Sequence, residues 1–378
     1  MKQVYLDNAA TTPMLPEVIT VVTEAMHTVY GNPSSIHQIG RTSKSLVETA
    51  RKNIAKHFNV TASEIVFTAG GSEADNLILR NAVINLGVKT IITSKVEHHA
   101  VLHTIENLAK EFPIKVFWVQ VDETGSIDFE HLETLLKQTN EKKLVSLMYV
   151  NNEIGNILNV KKVTDLCSEY KALFHSDAVQ AVGHFKFDIQ KTPIDFFVAS
   201  AHKFHGPKGV GFAYIKKGVG IYPILHGGEQ ERGARAGTEN VHSILGMEKA
   251  LQIAYSNLEK ESVEIQTLKS YFIQQLKNNF EGIKFNGTSQ SEQDSSYIIL
   301  NVQFPKEYAM LLFNLDLKGI AVSGGSACQS GSNKGSHVLN TILSEKDAKN
   351  TSVRFSFSKL NTIEELDFVI NNLKTLIQ

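Results

Sequence analysis

The chain has little of what would mark a disulfide scaffold, a membrane protein or a polyanion binder. Its 378 residues include only two cysteines, Cys167 and Cys328, too few for a disulfide framework or a thiolate metal centre. No uninterrupted apolar stretch approaches the roughly 20 residues that cross a bilayer. The chain enters strand-like Val4-Tyr5-Leu6 without an apolar leader, so no membrane association is expected and the cytoplasm is the expected compartment. Charge of one sign is also missing, with 38 Lys and Arg against 39 Asp and Glu and no basic run. That balance gives no reason to expect direct contact with nucleic acid. Internal repeats and low-complexity linkers are absent too.

What the chain does have is alternation. Seven strand-like runs, at 64–68, 89–94, 114–121, 144–150, 172–177, 194–200 and 210–216, are interleaved with helical stretches. The pattern predicts an α/β protein with a mainly parallel, seven-stranded sheet flanked by helices. The short glycine-bearing link before 210–216 predicts that the last pair is antiparallel. At this length one core rarely suffices. A smaller α+β unit is therefore expected beyond a charged helical stretch at 243–279, built around the runs 297–302 and 353–357.

Lys203, in Ser200-Ala201-His202-Lys203-Phe204-His205-Gly206, directly follows the apolar run ending at Ala199 and so falls at a strand's carboxyl edge. Open α/β sheets bind ligands at that edge, and an amine with restricted solvation there becomes a nucleophile suited to Schiff-base chemistry. Taken alone it is equally a surface lysine. Asp177 closes the run 172–177 and precedes Gln180. It reads either as a helix N-cap or as the anion that pairs with a pyridinium nitrogen. Upstream, Thr68-Ala69-Gly70-Gly71-Ser72 leads from a strand into a helical pattern, an arrangement whose backbone amides favour a phosphate. The three features together suit pyridoxal phosphate.

The two cysteines differ in setting. Cys167 has the helical spacing of a half-buried structural thiol. Cys328 lies in Ser323-Gly324-Gly325-Ser326-Ala327-Cys328-Gln329-Ser330-Gly331-Ser332, too rich in glycine and serine to pack a core. It is expected to be exposed, mobile and reactive.

With these residues in view the chain resembles the cysteine desulfurases, pyridoxal-phosphate enzymes of the class V aminotransferase group with the type I fold, of the kind with a long flexible loop carrying the catalytic cysteine. The matching motifs run from end to end: Tyr5-Leu6-Asp7-Asn8-Ala9-Ala10-Thr11-Thr12-Pro13, Gly31-Asn32-Pro33, Glu97-His98, Asn151-Asn152-Glu153, Asp177-Ala178-Val179-Gln180, His202-Lys203, Arg235-Ala236-Gly237-Thr238, Ser326-Ala327-Cys328 and Arg354-Phe355-Ser356. Gly71-Ser72 stands where the family often has Ala-Thr, and Ala201 where it often has Gly. The hydroxyl and the small volume are kept.

The resemblance implies a large cofactor-binding domain at 13–255, and a small domain that joins 1–12 to 256–378 and carries the cysteine loop. It implies Lys203, Cys328 and His98 as catalytic residues, with His98 stacked on the cofactor ring. Asp177, Gln180 and Asn152 would contact that ring, while Gly71, Ser72, Ser200, His202 and the neighbouring subunit's Thr238 would serve the phosphate. Arg354, helped by Asn32, would clamp the substrate carboxylate. The implied protein is a homodimer that takes sulfur from L-cysteine, releases L-alanine and holds a persulfide on Cys328. The acceptor would be an iron–sulfur scaffold or a tRNA-thiolation enzyme, and no metal ligand set is implied. A selenocysteine lyase or a plain class V aminotransferase would share the cofactor site; the latter has no need of a mobile cysteine.

Overall fold

A computed structural model describes residues 2–186, 188–324 and 335–377; Cys328 lies outside the described residues. In chain order the strands are β1 (Val4–Tyr5), β2 (Ile65–Thr68), β3 (Thr90–Ser94), β4 (Lys115–Val119), β5 (Lys143–Ser146), β6 (Leu173–Asp177), β7 (Phe196–Ser200), β8 (Gly211–Ile215), β9 (Lys284–Phe285), β10 (Ile299–Gln303), β11 (Ile320–Ala321) and β12 (Ser352–Ser356). The helices are α1 (Pro16–Thr28), α2 (Gln38–His57), α3 (Gly71–Ile84), α4 (His99–Glu111), α5 (Phe129–Lys137), α6 (Val160–Glu169), α7 (Val241–Asn279), α8 (Leu311–Leu317), α9 (His337–Ile342) and α10 (Ile363–Ile377).

The main sheet has seven strands in the order β2-β8-β7-β6-β5-β3-β4. Strands β2, β3, β5, β7 and β8 are buried along their whole length. Helices cover both faces, which is why these strands read as continuous apolar runs instead of alternating ones. The pairs β7–β6, β6–β5, β5–β3 and β3–β4 are parallel, while β8 runs against both of its neighbours. The expected antiparallel pair is therefore β7–β8.

That register places the site. Gly211 pairs with Ser200 on one side and with Thr68 on the other, so β2 and β7 end at the same edge of the sheet. A side chain at Gly211 has no room: a Cβ there would lie 2.3 Å from the Ala199 carbonyl and 2.9 Å from the Gly70 Cα. Asp177 pairs with Val198, bringing the end of β6 to the same edge.

Two cores sandwich this sheet. One packs α1, α2 and the first half of α7 against Phe197, Phe212 and Phe174; the other packs α3 and α4 against Phe196, Val198 and Ala213. A third core gathers the antiparallel sheet β12-β10-β9, α10, the second half of α7 and the N-terminal residues Val4, Leu6 and Ala9. The parallel β1–β11 pair ties the N-terminus to this third unit. Helix α7, 39 residues long, contributes Val241, Ile244, Met247 and Leu251 to the first core and Ile265, Phe272 and Leu276 to the third. We propose the domain boundary at 255/256 inside α7, with 1–12 counted with 256–378, because the change of core along α7 falls there.

Candidate active site

Where β2, β6 and β7 end, the chain encloses a cavity of about 210 Å³ whose wall includes His98, Asn152, Asp177, Gln180, Lys203 and Arg354, with Gly71, Ser72, Ser200 and His202. Six of the nine matching motifs, together with the Gly70-Gly71-Ser72 turn, thus converge at the carboxyl edge of one sheet. Lys203 closes a single helical turn after β7. Its Nζ donates to the carbonyls of Ala9 and Ala10 at 2.7 and 2.8 Å. Those carbonyls reach the site because Thr12 is stitched to the lysine loop: its hydroxyl donates to the His202 carbonyl at 2.9 Å and accepts from the His205 amide at 2.7 Å. Gln180 Nε2 also donates to the Ala9 carbonyl, at 2.8 Å, leaving its carbonyl oxygen as the acceptor still to be used.

Asp177 makes a capping-type contact without a helix to cap. One carboxylate oxygen accepts from the Val179 amide at 3.0 Å, as a capping residue does, although residues 178–185 form turns and not a helix. The residue still faces the cavity.

The opposite wall is the start of α3. No side chain caps this helix, and its N-cap, Gly70, has φ of 154°, a conformation that favours glycine. Unfilled amides and the helix dipole at such an end attract an anion. A Cβ on Gly71 would come 2.7 Å from Val179 Cγ2, so this wall is filled to the limit by a residue next to Asp177. The end is braced from outside by Glu73, which accepts from the Ala69 amide at 2.9 Å and from Arg235 Nε at 2.8 Å.

Behind the cavity lies a group of buried acids. Burial, reinforced by the charge of Asp177, pushes Glu97 up to about 8 and holds Asp75 well above the usual carboxylate range. Ser94 donates to Glu97 at 2.7 Å. His175, fully enclosed beneath them, is driven down to about 3 by burial. Its Nδ1 lies 2.9 Å from Ser146 Oγ, and its Nε2 lies 3.3 Å from Asp75 Oδ1 without the alignment of a hydrogen bond. The neighbours of Asp177 thus carry less charge at neutral pH than their composition suggests.

His98 caps α4, its Nδ1 accepting from the Ala100 amide at 3.1 Å. An accepting Nδ1 puts the proton of the neutral ring on Nε2. His202 is lowered to about 4 by burial, with Lys203 and Lys208 adding to it; its Nδ1 lies 3.1 Å from Thr11 Oγ1.

Arg354 lies within β12 and is only 1% exposed, not a solvent-facing strand arginine. Nη2 donates to Asp7 at 2.9 Å and Nη1 to the Asn152 carbonyl at 2.8 Å. Two expected residues stay outside this wall. Asn32 is exposed and spends its side chain on a local turn, accepting from the Ser34 amide at 2.9 Å. Thr238 is exposed too, and lines a separate hollow behind the α3 end with Ala69, Arg235 and Glu239. Cys167 is more enclosed than its spacing predicts, at 3% exposure; burial, with Asp195 behind it, pushes the thiol far up. Sequence reasoning missed Asp7, Asp75 and His175 as contributors. Asp7 lies inside a matching motif and His175 inside the run that ends at Asp177, but nothing local marks them as buried partners.

Comparison with known proteins gives the family. Residues 4–369 match the family described as aminotransferase class-V. Cysteine desulfurase IscS of Dictyoglomus turgidum is 39% identical across all of this chain and 95% of its own length. Cysteine desulfurase IscS of Clostridium botulinum, strain Hall, is 41% identical with the same coverage. The solved structure of a NifS-like protein superposes with a TM-score of 0.91 at 36% identity, covering all of this chain and 99% of its own. Identity of this size, spread over the whole chain and joined to the same fold, places it: the chain belongs to the aminotransferase class-V family, among the cysteine desulfurases.

Proposed function

We propose that this protein removes sulfur from L-cysteine with pyridoxal phosphate held at Lys203, releasing L-alanine and keeping the sulfur as a persulfide on Cys328. The observation that carries the reading is the convergence of Lys203, Asp177, His98 and Arg354 on one cavity of about 210 Å³. The residues fit the cofactor. An uncapped helix end suits its phosphate, and the glycine at that end leaves no space for a side chain. A carboxylate and an amine stand at the ends of adjacent strands, as a ring nitrogen and a covalent link require. When bound, pyridoxal phosphate supplies the electron sink that labilises the substrate Cα proton and the Cβ–S bond.

The chain's own residues do the rest. Arg354 receives the substrate carboxylate. Lys203 would hold the cofactor, and its free amine would serve as the base for the Cα proton. Gln180 and Asn152 would orient the ring, and His98 would offer its Nε2–H as a proton donor beside it. The Cys328 thiolate attacks the substrate sulfur: an S–S bond forms, the Cβ–S bond breaks, and its electron pair stays with the three-carbon fragment. The exchange balances as cysteine plus thiol giving alanine plus persulfide, with no outside oxidant.

The working unit we propose is a homodimer in which Thr238 of one chain serves the phosphate of the other. Its exposure, and its position outside its own chain's cavity, support that assignment. Sulfur then passes to an acceptor protein, an iron–sulfur scaffold or a tRNA-thiolation enzyme. Among the described residues no helix is long and apolar enough to cross a membrane. Borohydride reduction followed by peptide mapping tests the cofactor link, and the label belongs on Lys203. A label on another lysine would overturn the assignment. Mixing Thr238→Ala with Lys203→Ala chains tests the shared site: each heterodimer should regain one intact centre, and activity no higher than the parents' would refute the sharing.

A further inference from the structure

Arg354 is nearly enclosed, yet its donors are only partly used. Each Nη atom has an acceptor, but Nε is buried and, among the described residues, has no hydrogen-bond partner. An arginine and a carboxylate normally pair through two parallel bonds. Asp7 instead meets Arg354 through one oxygen, Oδ1, on Nη2 alone. That same oxygen accepts from Ser323 Oγ at 2.7 Å. Ser323 in turn exchanges both backbone hydrogen bonds with Arg354, at 2.7 and 3.3 Å. Asp7 is therefore held by a second element in a position that engages Nη2 alone and leaves Nε without a partner among the described residues.

The obvious alternative is an ion pair that only fastens the N-terminal segment to β12. That segment is already fastened without the Asp7 carboxylate. Ser356 N donates to the Leu6 carbonyl at 2.7 Å, Asn8 Nδ2 donates to the Ser356 carbonyl at 2.8 Å, and Ala9 N donates to Ser356 Oγ at 2.8 Å. Val4, Leu6 and Ala9 are buried in the third core. A carboxylate added to so complete a set of contacts contributes little to docking. Its distinct effect is on where the guanidinium points.

We propose that Asp7 is a positioning residue for substrate recognition: together with Ser323 it fixes the Arg354 guanidinium so that the side lining the cavity receives the carboxylate of the amino-acid substrate. This rests on the reading of Arg354 as the carboxylate clamp. Asp7 then governs the preference for an α-carboxylate and not the chemistry at the thiol.

The experiment compares holoenzyme variants toward L-cysteine and toward cysteamine, which has the amine and thiol but no carboxylate. Half-saturation is read both from turnover and from the absorbance change on binding. Asp7→Asn should raise the KM for L-cysteine roughly 10- to 100-fold, the range spanned by a hydrogen bond to a charged group, with kcat much less affected. The half-saturating cysteamine concentration should not move. Arg354→Gln should lose the same preference. If Arg354→Gln loses it while Asp7→Asn keeps it, or weakens both ligands equally, the role of Asp7 is overturned. If Arg354→Gln still prefers L-cysteine, the clamp itself is misassigned and the proposal falls with it. Ser323→Ala removes only the outer support, so it tests the same idea should Asp7→Asn fail to fold. It should lower the preference for L-cysteine in the same sense, and an unchanged preference would count against the proposal.

Discussion

Glu231→Gln should destabilise the protein by about 3 to 5 kcal/mol, the usual cost of breaking a buried ion pair from one side. Arg51 and Glu231 have side chains 4% and 3% exposed and pair through two bonds, Nη1–Oε2 at 2.6 Å and Nη2–Oε1 at 2.8 Å. Glu231 Oε2 also accepts from the Phe67 amide at 2.8 Å, and Arg51 Nη1 donates to the Ile65 carbonyl at 2.9 Å. The ion pair thus joins α2 to Ile65 and Phe67 of β2. Glu231 and Arg232 adopt left-handed φ values of 49° and 56°, conformations that persist only where neighbours enforce them. The glutamine would turn an amide against a guanidinium whose other anionic partner is the half-buried Glu48, 3.0 Å from Nε. Urea or thermal denaturation measures the effect, with a melting shift on the order of 5 to 10 °C for the larger change. Arg232→Ala is the control. Its pair with Glu48 is 49% and 35% exposed, so it should cost less than about 1 kcal/mol. A loss below about 1 kcal/mol in Glu231→Gln would refute the reasoning that this buried pair fixes the turn.

Other outcomes follow from the same geometry. Glu97 keeps its proton in the fold up to about pH 8 but in the unfolded chain only to its ordinary 4.5. The stability it contributes is therefore complete below pH 4.5 and lost as pH rises through 8, by at most roughly 5 kcal/mol; Glu97→Gln should flatten that decline in denaturation curves taken across this window, and an unchanged slope would show that Glu97 is not the buried acid responsible. Lys269 behaves in the opposite sense: wholly enclosed, with Nζ donating to the Ser296 carbonyl at 2.7 Å, it is lowered to about 7 by burial. Its contribution is present above its ordinary 10.5 and lost as pH falls to 7, so Lys269→Met should stabilise the protein at pH 7 relative to pH 10, and the reverse ordering in paired melts would contradict the assignment. Cys167→Ser should retain full desulfuration, because that thiol is sealed in the first core; loss of activity without loss of folded protein would reopen its role.

Much of the fold was legible because fully buried strands leave unbroken apolar runs. The runs 64–68 and 172–177 became β2 and β6 within a residue. The two-residue strands β9 and β11 left no such trace, since a period cannot show in two positions. At the site, Lys203, Asp177 and the Gly70-Gly71-Ser72 turn could be placed because strand ends in one parallel sheet share an edge. The supporting layer could not. That Asp7 meets Arg354 across 347 positions, or that His175 lies under Asp75, depends on tertiary packing that a local pattern does not encode. Exposure misled in one case. The spacing around Cys167 is that of a half-buried helix face, yet α6 is covered by α5 and β6 and the thiol is sealed. Asn32 stays outside the cavity wall for a related reason, as its motif marks a turn in which the side chain accepts from the Ser34 amide.

The central claim is that Cys328 takes the sulfur, and mass spectrometry of the holoenzyme after treatment with L-cysteine tests it most directly. One additional sulfur atom should appear on the peptide containing Cys328, matched by an equal amount of L-alanine. In Cys328→Ser the cofactor should remain bound while both products disappear. Extra sulfur on Cys167, or undiminished alanine release from Cys328→Ser, would contradict the account.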